Sequence, residues 1–189
     1  MNKQPIVDRE ILSILDDYRL FIDSDKRVDM PFRVDAVDKK GHSTSLVGLS
    51  DLSADKPFGS TVLECEMRDR SEYRYTFRIL SDAIKRRVLF RMDEGGKTHR
   101  NWHLPVPVDK QQVPTPHFHI YADDGIMYAY RTEVLERITS PLHIRKGFVA
   151  FCDEIHINQK DRRIVIQEEG ALPLEFTPEV DPLADIQFP

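Results

Sequence analysis

The stretch from Leu63 to Asp93, L-E-C-E-M-R-D-R-S-E-Y-R-Y-T-F-R-I-L-S-D-A-I-K-R-R-V-L-F-R-M-D, carries the pattern that decides the fold. Leu63, Cys65 and Met67 alternate with Glu64, Glu66 and Arg68. Tyr73, Tyr75, Phe77 and Ile79 alternate with Arg74, Thr76 and Arg78, and Val88, Phe90 and Met92 with Leu89, Arg91 and Asp93. A period of two residues sends one set of side chains to each face of an extended strand. Three such half-buried strands in succession, with no helical period between them, predict an antiparallel sheet.

Upstream, Ile11, Leu12, Ile14, Leu15 and Tyr18 recur at helical spacing behind a candidate cap at Asp8, so the chain is expected to open with a helix. Residues 23–60 are polar, and their short apolar runs at Phe32–Val34 and Leu46–Leu49 read as edge strands. Downstream, Glu94-Gly95-Gly96-Lys97 turns the chain into a proline-rich loop, His99 to Pro116, ahead of a strand His117–Tyr121. The turn Asp123-Asp124-Gly125 joins this to a strand Ile126–Thr132, forming a hairpin. A short helix ends before Pro141, a longer one carries Ile144, Phe148, Phe151, Cys152 and Ile155, and a last strand covers Arg163–Gln167. The expected class is α+β: a single antiparallel sheet of five or more strands flanked by N-terminal and C-terminal helices. One domain would occupy residues 1–170 with its sheet core at about 60–132, and 171–189 would form an acidic, proline-rich tail.

The 189 residues, 40% hydrophobic, suffice for one core. No apolar run resembles a signal peptide or a membrane span, so a cytoplasmic protein without a membrane partner is expected. Cys65 and Cys152 stand in apolar-periodic segments and read as buried reduced thiols. Net charge is −5, yet Arg68 to Arg91 holds eight basic residues against three acidic ones, while six acids and no Lys or Arg follow Arg163. A dinucleotide-type strand and helix alternation, a phosphate-binding Gly-rich loop, G-x-S-x-G and H-E-x-x-H are all missing from the sequence.

Chemistry concentrates in Thr98–Tyr121, which holds His99, His103, His117 and His119, four of the seven histidines, and the only tryptophan, Trp102. The R-x-D of Arg91 and Asp93, the H-x-N of His99, Arg100 and Asn101, and the P-H-x-H-I-Y of Pro116, His117, His119, Ile120 and Tyr121 together resemble a small family of uncharacterised bacterial and phage proteins. The resemblance spans about Gly59 to Glu133. It departs at Trp102-His103-Leu104-Pro105, where the family pattern has a Pro-Asp-Gly turn. A shorter P-H-F-H signature resembles small proteins associated with toxin–antitoxin systems. Neither resemblance implies an activity, which rests with the site residues themselves.

His117, His119 and Tyr121 alternate onto one strand face, the two histidines about 7 Å apart at the backbone. One chemistry that uses this spacing is metal-independent RNA cleavage, with no cofactor. One imidazole would take the proton of the ribose 2′-OH and the other protonate the leaving oxygen, because a pKa near 6.5 makes both forms accessible. His99, Arg91 and Tyr121 would assist. Arg74, Arg78, Arg100, Trp102 and Arg131 are the candidate nucleic-acid contacts, Trp102 and Tyr128 through stacking. Such an endoribonuclease would suit a toxin, or a phage or mobile-element counter-defence protein of anti-CRISPR-like type that destroys a guide RNA. A second chemistry is a zinc hydrolase, with His117 and His119 joined by Asp93, His99 or His103. A third reading is non-enzymatic: an acidic protein occupying the nucleic-acid-binding surface of a host defence protein. Against all three stands the possibility that the histidines only pin the loop to the sheet and that Arg91 with Asp93 is a structural ion pair.

Overall fold

In the computed structural model, which describes residues 6–36, 46–85, 87–139 and 141–167, the alternating segments are neighbouring strands of one large sheet. These are β4 (Thr61–Met67), β5 (Tyr75–Ser81) and β6 (Arg87–Glu94), paired antiparallel in that order. Alternation places Leu63, Cys65, Phe77, Ile79, Phe90 and Met92 on a buried face, as expected from their period. Tyr73 precedes β5 and is 47% exposed, so it lies outside the inward set.

The sheet is wider than residues 60–132. Strands β1 (Lys26–Val28), β2 (Phe32–Ala36) and β3 (Leu46–Ala54) extend it on one side of β4, and β9 (His117–Tyr121) and β10 (Met127–Tyr130) on the other side of β6. The order is β10-β9-β6-β5-β4-β3-β2-β11, with β11 (Ile164–Gln167) at one edge and β1 also paired to β3. Two expectations change here. The Phe32 and Leu46 runs are interior strands, because β11 covers β2 and β3 lies between β2 and β4. The sheet is also mixed, since β11 runs parallel to β2, Ile164 opposite Phe32. Pairing between segments so distant along the chain leaves no local pattern in the sequence, so these runs look like edges from their residues alone.

Helices cover the apolar face. Asp8 accepts hydrogen bonds from the Glu10 and Ile11 amides and starts α1 (Arg9–Ser13), and a break at Ile14 separates it from α2 (Leu15–Asp23). The short α3 (Glu133–Glu136) is capped by Thr132, and α4 (Ile144–Glu154) lays Phe148 and Phe151 on the sheet. Phe77 meets both rings, at 5.5 and 5.3 Å between centroids. α4 approaches so closely at Gly147 that an added Cβ would lie 1.9 Å from the Tyr75 hydroxyl oxygen. Burying these aromatics takes large apolar areas out of water and stabilises this layer. Cys65 and Cys152 are free thiols within the same core. No described helix is long and apolar enough to cross a membrane. The acidic tail at 171–189 and His42 lie outside the described residues.

Candidate functional site

The opposite face of the sheet is polar, and strand register sets its side chains in two rows. Glu66, Thr76, Asp93 and His117 are consecutive partners across β4, β5, β6 and β9, and Glu64, Arg78, Arg91 and His119 form the adjacent row. The alternation that builds the core therefore also carries Arg91 and Asp93 to the two histidines.

Asp93 is the hub of this group. Its Oδ1 accepts from the Thr76 hydroxyl at 2.9 Å. Its Oδ2 lies 2.9 Å from Arg91 Nη2, 3.1 Å from His119 Nε2 and 3.7 Å from His117 Nε2. Arg91 Nη2 is also 2.9 Å from His119 Nε2. Those contacts place opposite demands on the imidazole. A guanidinium only donates and a carboxylate only accepts, so Nε2 bonds Arg91 when it bears a lone pair and Asp93 when it bears a proton. His119 has a partner ready for either state.

His117 is held differently. Its Nδ1 is 3.2 Å from the Pro114 carbonyl, which can only accept, so Nδ1 carries the proton and Nε2 presents a lone pair toward Asp93. The side chains of His117 and His119 are 2% and 1% exposed. Burial, followed by the neighbouring His119 charge, pushes His117 down to about 4. Burial also lowers His119, with Asp93 pulling upward and Arg91 downward. For Asp93, burial works to raise the pKa but is outweighed by His119, Arg91 and Thr76, which hold the carboxyl well below the ordinary carboxylate range.

The loop between β6 and β9 forms a roof over this group. It contains a two-residue ladder, β7 (His99–Arg100) with β8 (Gln112–Val113), and a 3-10 turn at Val108–Gln111. Asn101 anchors it: its side-chain amide donates to the Ala129 carbonyl at 2.6 Å and its carbonyl oxygen accepts from the Ala129 amide at 2.9 Å. One side chain thus takes the place of a strand at the free edge of β10, opposite His119 in register. Two residues earlier, His99 reaches over the cluster, its ring 4.8 Å from that of His119 and 6.0 Å from that of His117. Burial lowers His99 to about 4.

The structure thus gathers His99, His117, His119, Arg91 and Asp93. It does not bring Tyr121 with them. The Tyr121 hydroxyl is 3.4 Å from Asp8 Oδ2 and its ring packs edge-on against Tyr18 at 5.7 Å, so it serves the junction with α2. Most of the expected nucleic-acid contacts are occupied internally. Arg74 pairs with Asp69, Arg78 with Glu64 and Glu66, and Arg131 with the Leu135 and Ile138 carbonyls. Arg100 and Trp102 remain exposed on the roof, although Arg100 Nε bonds Gln111 at 3.0 Å. His103 sits on the roof edge-on to Trp102, its buried Nε2 without a hydrogen bond. Thr76 and the Pro114 carbonyl were absent from the sequence-based site. Thr76 could have been found from register, Pro114 only from coordinates.

Asp93, His117 and His119 offer ligand atoms within 4.8 Å of one another, the one such three-residue group among the described residues. A divalent ion there would compete with Arg91 for the lone pairs of Asp93 Oδ2 and His119 Nε2. Comparisons with protein-family models, curated proteins and solved structures returned no match.

Proposed function

We propose that this protein is a cytoplasmic endoribonuclease acting through the buried imidazoles without a metal, as a toxin or a phage or mobile-element counter-defence protein would. The observation that carries the reading is the triangle of His119 Nε2, Arg91 Nη2 and Asp93 Oδ2, each within 3.1 Å of the other two. A group with a partner for both of its protonation states can release and regain a proton with little rearrangement, which general acid–base catalysis requires.

In this mechanism the lone pair on His117 Nε2 takes the 2′-OH proton. The 2′-oxygen bonds to phosphorus, the bond to the 5′-oxygen breaks, and His119 Nε2–H protonates that leaving oxygen. The phosphodiester charge favours the protonated form of His119, and the Arg91 guanidinium neutralises the added charge on the five-coordinate phosphorus. His99 closes the site from above. Exposed Arg100 and Trp102 offer charge and a stacking surface to a single strand. Because the roof covers both imidazoles, substrate entry requires it to lift.

A second reading, a divalent-metal hydrolase on Asp93, His117 and His119, is favoured by the convergence of those donors and by the proton-free Nε2 of His117. One experiment separates the two. Purified protein and His119→Ala are incubated with a mixed pool of single-stranded RNA, with and without EDTA, while circular dichroism checks the fold. The acid–base reading expects cleavage in both buffers by the parent only. EDTA-sensitive cleavage supports the metal reading, and intact RNA throughout ends both as accounts of unguided cleavage.

A further inference from the structure

The far end of β9 borders a cavity that the histidine chemistry does not use. It has a volume of about 540 Å³ and lies between α2, the β9–β10 turn and Leu104 of the roof. Its walls are Tyr18, Tyr121 and Tyr128, with Ile22 and Ile120 adding apolar surface. Its mouth is acidic. Asp16, Arg19 and Asp23 follow helical spacing along α2, and Arg19 is engaged by Asp123 across the mouth and by Asp16 at 3.6 Å. Asp23 and Asp124 also line the cavity, and neither makes a salt bridge among the described residues. Asp124 uses one oxygen to accept from the Ile126 amide at 2.9 Å and keeps the other.

Aromatic walls, an apolar floor and surplus carboxylates at the rim match one kind of side chain. A guanidinium stacks on tyrosine and bonds carboxylates in a fork, while its methylene stem packs on aliphatic groups. The same rim repels phosphates, which disfavours nucleic acid on this face. We propose that the cavity receives an arginine side chain from the basic surface of a partner protein. The site lies beyond the ribonuclease reading and does not depend on it. A single anchored arginine in an aromatic pocket, ringed by complementary charge, is the usual form of an interface hot spot.

The test uses the full-length protein and a fluorescently labelled tri-arginine peptide, with a tri-citrulline peptide as the uncharged control. Anisotropy titration should show saturable binding of the arginine peptide that weakens as salt rises, and none of the control. Combined Asp23→Asn and Asp124→Asn, which keep the turn hydrogen bond, should weaken it roughly tenfold. Tyr128→Ala should weaken it roughly fivefold, and Tyr128→Phe should bind as the parent does. Leu104→Arg, which places a cation of the chain's own in the cavity, should abolish binding even if Tyr128→Ala proves unstable. His119→Ala should bind normally whether or not RNA is cleaved, so failure here and failure of the ribonuclease reading are distinguishable. Absence of saturable binding, or weakening by the charge variants without any effect of Tyr128→Ala and Leu104→Arg, overturns the proposal.

Discussion

The two ends of β9 share one strand but differ in their own side chains, His117 and His119 against Ile120 and Tyr121, and in what the neighbouring elements bring. At the start, β6 supplies Arg91 and Asp93 beside His117 and His119, and the roof seals them in. At the other end, Tyr18 of α2, Tyr128 of β10 and the aspartates of α2 and the turn stand beside Tyr121 and leave an open cavity. The first environment is closed and internally paired, suited to moving protons. The second is open with unpaired acids, suited to capturing a cation. A strand's period places side chains, but adjacent elements decide their chemistry.

Perturbing each end separately should sharpen that contrast. The largest effect belongs to His119→Ala, which should lower RNA cleavage by about 10²–10⁴-fold, measured as single-turnover rate, and leave the far end untouched. Arg91→Ala should follow with about a 10²-fold loss, since it removes charge from the phosphorane. Rates against pH should give a bell on the acid side. Activity rises through about 4 as His117 loses its proton, and falls as His119 deprotonates below its ordinary 6.5. A plateau reaching above pH 8 contradicts these assignments.

Stability should track the same groups. Between pH 6.5 and about 4 the unfolded chain binds protons that folded His117 and His99 do not, so stability falls as pH drops through that window and is unaffected above it. Asn101→Ala removes both bonds to Ala129 and should lower unfolding free energy by about 1–3 kcal/mol, read from urea denaturation. The smallest effect is expected of Arg74→Met. Its exposed guanidinium is already paired one to one with Asp69, so RNA affinity should change less than about twofold.

Much of this organisation was legible in the residues. The alternation of Leu63 to Asp93 marked the three strands and most of their faces, although Tyr73 falls outside β5 and a bulge opposite Ile79 and Leu80 leaves Leu89 buried, and the same logic placed Arg91 with Asp93 and His117 with His119. Three things were not legible. Parallel pairing of β11 with β2 depends on contacts distant in sequence. The internal pairing of Arg74, Arg78 and Arg131 depends on cross-strand and carbonyl partners that charge counting does not see. Tyr121 is held by Tyr18 and Asp8 in a neighbourhood that strand alternation alone does not foresee.

In the proposed reaction His117 and His119 exchange protons with a ribose 2′-OH and a 5′-leaving oxygen. End-group analysis of cleaved RNA in EDTA, using a strand and its counterpart with a single 2′-deoxy residue at the cleaved position, tests it most directly. That reaction gives 2′,3′-cyclic phosphate and 5′-hydroxyl ends from the first and no cut at that position in the second. Cleavage of the 2′-deoxy strand, or ends formed only when a divalent metal is present, would contradict it.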